Sequence, residues 1–144
     1  GRSDVKLRCS FPRVRSVLGS MIDKNISPVG WYVASYVLRF VELERTDIEN
    51  PDARFLTWVN SILVRASDLD EAYDKTVVFA LQNTEPYKGG KDGVPVQWVF
   101  EGVTEILPIY EELQDGAEIM WAERNPRKLS NIRNSVRKKG QFKQ

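Results

Sequence analysis

Two glutamates, Glu101 and Glu105, flank the glycine at position 102, and Glu111, Glu112, Asp115 and Glu118 follow closely. Carboxylates gathered around a bend are the raw material for a divalent-cation site or for an acid and base pair, and bulged strands do occur beside functional sites. The commoner use of such a run is solvated charge around a turn, where it also offers an acidic docking surface to a basic protein. Other chemistry is narrowed by what the chain lacks. None of its 144 residues is histidine, the usual general base near neutral pH and the commonest zinc ligand. Ser-His-Asp triads, Cys-His dyads, HExxH metalloproteases and His-coordinated zinc deaminases are therefore excluded. Cys9 is the single cysteine, so one chain can form neither an internal disulfide nor a thiolate metal cluster. A lone thiol also needs a base or other favourable surroundings to become a nucleophile. Catalysis is left to Asp, Glu, Lys, Tyr or Arg, and a metal-dependent enzyme built on Glu101 and Glu105 is its narrowest form.

No cofactor signature is present. The loop Gly89-Gly90-Lys91-Asp92-Gly93 lacks the GxxxxGK[ST] spacing and precedes a strand, whereas a phosphate-cradling loop precedes a helix; it reads as a hairpin loop. Four tryptophans, Trp31, Trp58, Trp98 and Trp121, fall one to each strand proposed below. With Tyr32, Tyr36 and Phe100 they serve either a core or a stacking face for bases or a protein.

Charge is segregated beneath a net value of +1. Residues 1–29 hold six basic and two acidic residues, residues 30–123 seven basic and eighteen acidic, and residues 124–144 eight basic and none acidic, so an acidic body of net −11 lies between basic ends. These define three segments: a basic N-terminal segment, 1–29; an acidic α+β domain, 30–123; and a basic C-terminal segment, 124–144. In the last, Leu129, Ile132 and Val136 at helical spacing among Arg127, Lys128, Arg133, Arg137, Lys138 and Lys139 predict a short basic helix. Those six cations are the candidates for contacts with nucleic-acid phosphates, which would be steeply salt-dependent. Folding of this tail against the acidic body would account for the same segregation without a partner.

The elements that must position these groups follow from pattern. Residues 31–41 are a β-branched and aromatic run, the first strand, and Phe55 to Ala66 give a second, antiparallel to it across the turn chemistry of 46–54. Ser67, Asp68, Asp70 and Glu71 start a helix, with the Ser67 hydroxyl as its cap. Leu69, Ala72, Tyr73, Thr76, Val77, Ala80 and Leu81 form one stripe that covers a sheet face. A loop over 83–95 leads to a third strand at 96–100, Gly102 marks a bulge or bend, and Gln114-Asp115-Gly116 turns into a fourth strand at 117–121. The fold class is α+β: a four-stranded, mainly antiparallel sheet with one main helix over about residues 68–82 packed on it and a C-terminal basic helix. One helix leaves the sheet's second face to be covered by a terminal segment, by a second copy of the chain or by a binding partner.

The ordered set Gly30-Trp31-Tyr32-Val33, Ile62-Leu63-Val64-Arg65-Ala66-Ser67-Asp68-Leu69-Asp70-Glu71-Ala72, Trp98-Val99-Phe100-Glu101-Gly102 and Asp115-Gly116-Ala117-Glu118-Ile119 resembles a bacterial family, domain of unknown function 4288, over about residues 30–121. The resemblance implies a compact α+β domain and carries no activity.

Size, charge and missing catalytic groups point to a non-enzymatic protein-binding module, of the immunity or antitoxin-inhibitor kind, with Glu101, Glu105, Glu111, Glu112 and Asp115 as its acidic docking surface. A nucleic-acid accessory protein using the basic ends is the alternative, and the metal-dependent enzyme comes last. No apolar run approaches the length of a membrane helix and the first 30 residues carry no apolar leader, so the expected setting is cytoplasmic, with no membrane partner.

Overall fold

The computed structural model describes residues 23–144 and, by backbone alone, residues 6–8. The chain divides into two compact units, Arg8–Trp121 and a second made of Gly1–Leu7 with Ala122–Gln144.

The larger unit is built on a four-stranded antiparallel sheet of β2 (Trp31–Glu42), β3 (Thr57–Arg65), β4 (Tyr87–Gly89) and β5 (Val94–Pro108), in the order β3-β2-β5-β4. The central strand β2 pairs with β3 in an unbroken register from Trp31 opposite Arg65 to Arg39 opposite Thr57. On its other side it pairs with β5, from Tyr32 opposite Pro108 to Glu42 opposite Val96, with register shifts between Ser35 and Tyr36 and between Val37 and Leu38. Those shifts are two bulges in β5. Glu101 and Thr104 are the extra residues, lying on either side of Gly102, whose φ of +156° suits glycine. The expected disturbance at Gly102 is therefore real, but it does not end the strand. A third strand expected over 96–100 runs on to Pro108, because each bulge absorbs one residue and lets the ladder continue.

The main helix, α1 (Leu69–Ala80), begins at Asp68, whose extended backbone lets its side chain accept the Glu71 N–H at 2.8 Å. The cap is thus Asp68 rather than Ser67. Ser67 instead donates its N–H to Glu71 Oε1 at 3.1 Å, so the glutamate still ties the entry to the first turn. Ala72, Thr76 and Ala80 form the buried stripe of α1. Small residues there allow close approach to the sheet, and Ala72 joins Tyr32, Ala34, Val64 and Ala66 in one core, with Ile62, Leu69 and Ile106 packed against it. Thr76 disposes of its buried hydroxyl by donating to the Ala72 carbonyl, one turn back. Burying each large apolar side chain in this layer contributes roughly 1.5–3 kcal/mol.

Residues 23–29 are fastened to the sheet by hydrogen bonds. Ser27 is the hub: its hydroxyl donates to the Ile109 carbonyl at 2.5 Å and accepts from the N–H groups of Val29 and Trp31 at 3.2 and 3.1 Å, while its own N–H donates to the Tyr32 hydroxyl at 3.0 Å. The Tyr110 hydroxyl donates to the Lys24 carbonyl.

The fourth strand of the sheet lies elsewhere than expected. It is β4, within the segment read as loop, and Gly90 to Gly93 turn the β4–β5 hairpin with Gly90 and Gly93 at φ +73° and +64°. Residues 117–120 form no strand. They are held by local bonds, Ala117 N–H to the Gln114 carbonyl at 2.9 Å and Glu118 N–H to Glu111 Oε2 at 2.8 Å, and take no place in the sheet order β3-β2-β5-β4. The short strand β6 (Trp121–Glu123) pairs instead with β1 (Lys6–Arg8). The expected C-terminal basic helix is α2 (Leu129–Asn134), followed by a single 3-10 turn at Lys139–Gln141; none of its residues is buried.

Candidate docking edge and aromatic groove

The acidic residues singled out in the sequence are placed one by one along the chain. Glu101 sits at the first bulge of β5 and is held by Arg39, Nε to Oε2 at 2.7 Å, while the same guanidinium donates from Nη1 to the Ile48 carbonyl at 2.5 Å. Glu101 thus serves to anchor Arg39. Glu105 lies opposite Ser35 and is partly buried. Glu111 accepts the Glu118 N–H and closes its loop, and Glu112 and Asp115 are exposed. Among the described residues no group of three or more Asp, Glu, Cys or His side chains is arranged to hold a metal ion. Arg127, Lys128, Arg133, Arg137, Lys138 and Lys139 are all exposed on and around α2. Cys9 lies outside the described residues.

Arg39 belongs to a cluster that fastens the connection between β2 and β3. Its guanidinium and that of Arg45 lie 4.7 and 4.4 Å from the ring centre of Phe55. Arg45 grips Asp47 with two bonds, Nε to Oδ1 at 2.7 Å and Nη2 to Oδ2 at 2.8 Å. That hydrogen-bonded pairing holds the Asp47 carboxyl below its ordinary range and raises Arg45. A carboxyl lowered on folding adds stability above its unfolded pKa, and this is lost as pH falls through its folded one. Asp47→Asn is therefore expected to be slightly less stable than the parent at neutral pH and equal to it in acid; denaturant melts at both pH values check this, and a difference that persists in acid would count against it. The pair is open to solvent, so the effect is small.

The features that sequence reasoning missed lie on β3. Hydrogen bonds from Ala66 N–H to the Gly30 carbonyl and from Phe40 N–H to the Leu56 carbonyl fix which residues of β3 point inward. Even-numbered residues bond to β2, so the N–H and C=O groups of Thr57, Val59, Ser61, Leu63 and Arg65 point out from the sheet. Lys75 Nζ covers the Arg65 carbonyl at 2.6 Å. Among the described residues, nothing meets the outward groups of the other four. An open edge of this length is ordinarily guarded by lysine, proline or a bulge. Here no charged residue occurs between Arg54 and Arg65, and Trp58, Val59 and Leu63 are 54%, 63% and 49% exposed. Serine and asparagine in the middle of an otherwise apolar run, Asn60-Ser61, are the sequence signal that this strand is not a central one.

Beside the edge, beyond the C-terminal end of α1, the helix-side face of the sheet opens into a groove of ≈ 480 Å³ lined by Tyr36, Leu38, Trp58, Asn60, Phe79 and Trp98 among others. The rings of Trp58 on β3 and Trp98 on β5 meet 4.5 Å apart across the intervening β2, and Phe40 lies 5.1 Å from Trp98. The tryptophans are therefore divided in their use. Trp31 is flanked by the Arg65 guanidinium at 4.9 Å, and Trp58 and Trp98 make a partly open aromatic bridge. On the opposite face Val33, Ser35, Val41 and Leu107 are buried, whereas Val59 and Leu63 are not.

Among the described residues, an antiparallel sheet with one main helix packed on it and an edge strand that carries no charge between Arg54 and Arg65 defines a small α+β domain. The model of a family described as Domain of unknown function (DUF4288) matches residues 31–121, and the chain belongs to that family. The match runs from the start of β2 to Trp121, the first residue of β6, and so takes in the edge, the groove and α1. No curated protein and no solved structure matches the chain. Among the described residues no helix is long and apolar enough to cross a membrane.

Proposed function

We propose that this chain is a non-catalytic protein-binding module that captures an extended segment of another polypeptide on the outer edge of β3. The observation that carries it is the uncharged edge of Thr57, Val59, Ser61 and Leu63, whose outward backbone groups meet no partner among the described residues. Main-chain bonds along such an edge give affinity, and alternating side-chain pockets give specificity. The Trp58 and Trp98 groove supplies an aromatic anchor of the kind that dominates interface energies. An immunity or antitoxin-type inhibitor is one form of this role, in which the body's net −11 would speed encounter with a basic target in the cytoplasm and the neutral edge would lock it. Val59→Pro removes one outward donor and leaves the inward ladder intact. A tagged parent protein should recover a stoichiometric partner from its native host that Val59→Pro fails to recover. Equal recovery by both would overturn the edge as the docking site.

A second reading, nucleic-acid binding by the C-terminal segment, is favoured by one observation: its eight basic residues are exposed and no acidic residue is interleaved with them. Deleting residues 124–144 is expected to abolish binding to RNA or DNA, and the slope of log affinity against log salt for the full chain should be about −0.7 to −0.9 per phosphate neutralised. A salt-independent affinity, or one that survives the deletion, would dismiss it.

A further inference from the structure

We infer that the strand added to β3 is β3 of a second copy of this chain, antiparallel about a twofold axis at Asn60; the inference rests on the strand-addition reading above. Two copies of an edge strand can pair antiparallel in several registers, and the free groups choose among them. Centring on Ser61 sets Thr57 against Arg65, whose carbonyl Lys75 already holds. Centring on Val59 sets Leu63 against Phe55, which lies before the strand begins. Centring on Asn60 sets Thr57 against Leu63 and Val59 against Ser61. This register alone uses, on both copies, every outward residue that is unmet among the described residues, and no other. The same register places even-numbered residues in the close, non-hydrogen-bonded positions. Trp58 then faces Ile62 of the second copy. Asn60 faces its own twin, and its carboxamide, which has no hydrogen-bond partner among the described residues, finds a donor and an acceptor matched to it. Electrostatics select the same occupant. The body is strongly acidic, yet the strip from Phe55 to Val64 carries no charge. A basic segment would find no carboxylate on this strand, whereas a second β3 brings an equally neutral surface and strands no charge. The outcome is one continuous sheet across both copies, with an isologous interface that closes on itself.

Light scattering across a dilution series should give a mass near twice the 16.6 kDa of the chain, returning to the single-chain mass for Val59→Pro. Register is read by oxidation in a Cys9→Ser background. Asn60→Cys should form an intermolecular disulfide readily, since facing Cα atoms of a close pair lie about 4.5 Å apart, within the roughly 4.4–6.8 Å a disulfide needs. Ser61→Cys should form far less, because the twin Ser61 is offset in this register. The cysteine pair alters no backbone donor, so it decides the matter even if Val59→Pro fails to fold. A single-chain mass at every concentration, or a disulfide that forms at 61 and not at 60, overturns the inference. If the chain is a monomer while Val59→Pro loses a stoichiometric host partner, self-pairing falls and the module reading stands. If the chain is a monomer and both forms recover the same partner, both fall.

Discussion

Replacing Tyr32 by alanine is expected to lower the folding free energy by about 3–5 kcal/mol, the usual cost of removing a large aromatic side chain from a closed core. Tyr32 is fully buried on the central strand, packed with Ala34, Val64 and Ala72, so its loss opens a cavity between sheet and helix that neighbouring small residues cannot fill. Its hydroxyl also accepts the Ser27 N–H. Tyr32→Phe isolates that part: it keeps the packing and leaves a buried donor unmet, for a cost of about 1–3 kcal/mol. Guanidinium melts of parent, Tyr32→Phe and Tyr32→Ala should give three separated midpoints with a common slope. If the alanine variant melts within 1 kcal/mol of the parent, the helix and sheet do not close over this ring as described.

Ser27→Ala is expected to cost about 2–4 kcal/mol although it deletes a single oxygen, because several backbone groups depend on that atom. The Ile109 carbonyl loses its donor, and the N–H groups of Val29 and Trp31 lose their acceptor. These groups join the segment before β2 to the chain leaving β5, so a change at residue 27 should loosen contacts across a sequence separation of 82 residues. Hydrogen exchange provides the measurement: Trp31 and Val29 amides should lose protection in Ser27→Ala. Combining it with Tyr32→Phe should give less than the sum of the two, since both act on one network. Additive costs would mean that Ser27 and Tyr32 are energetically separate.

Much of the scaffold was legible from local physics. The β2 run, the second strand and the Ala72, Thr76 and Ala80 positions of the α1 stripe follow from hydrophobic period, whereas Tyr73 and Leu81, expected in the same stripe, lie at its margin and are exposed; Gly102 announced its bulge because a positive φ is what glycine is used for. What escaped was decided by long-range pairing. Residues 87–89 are too few and too polar to show a strand period, and they become β4 only because β5 offers Val94–Val96 as a partner. Residues 117–120 have the composition of a strand but bond back to Gln114 and Glu111 and join no sheet. The reading of Glu101 and Glu105 as a pair with chemistry missed Arg39, since nothing local reveals that a guanidinium 62 residues away will reach Glu101 across the sheet. The edge position of β3 escaped for the same reason. A strand's own residues hint at its place in a sheet, but the order β3-β2-β5-β4 is settled by all the strands together.

The paired bulges of β5 bear on how this domain can change length during evolution. Each extra residue, Glu101 and Thr104, stands outside the pairing with β2, so the residues before and after it keep the partners and faces they would have in an unbroken ladder. A lineage that lost either residue alone would straighten one bulge and leave Trp98, Phe100, Ile106 and Pro108 opposite the same β2 residues. A lineage that lost a paired residue of β5 instead would exchange the two faces along one arm of the strand. Viable single deletions in this stretch should therefore fall at positions 101 and 104, and a homologue one or two residues shorter here can keep both layers without a change on β2.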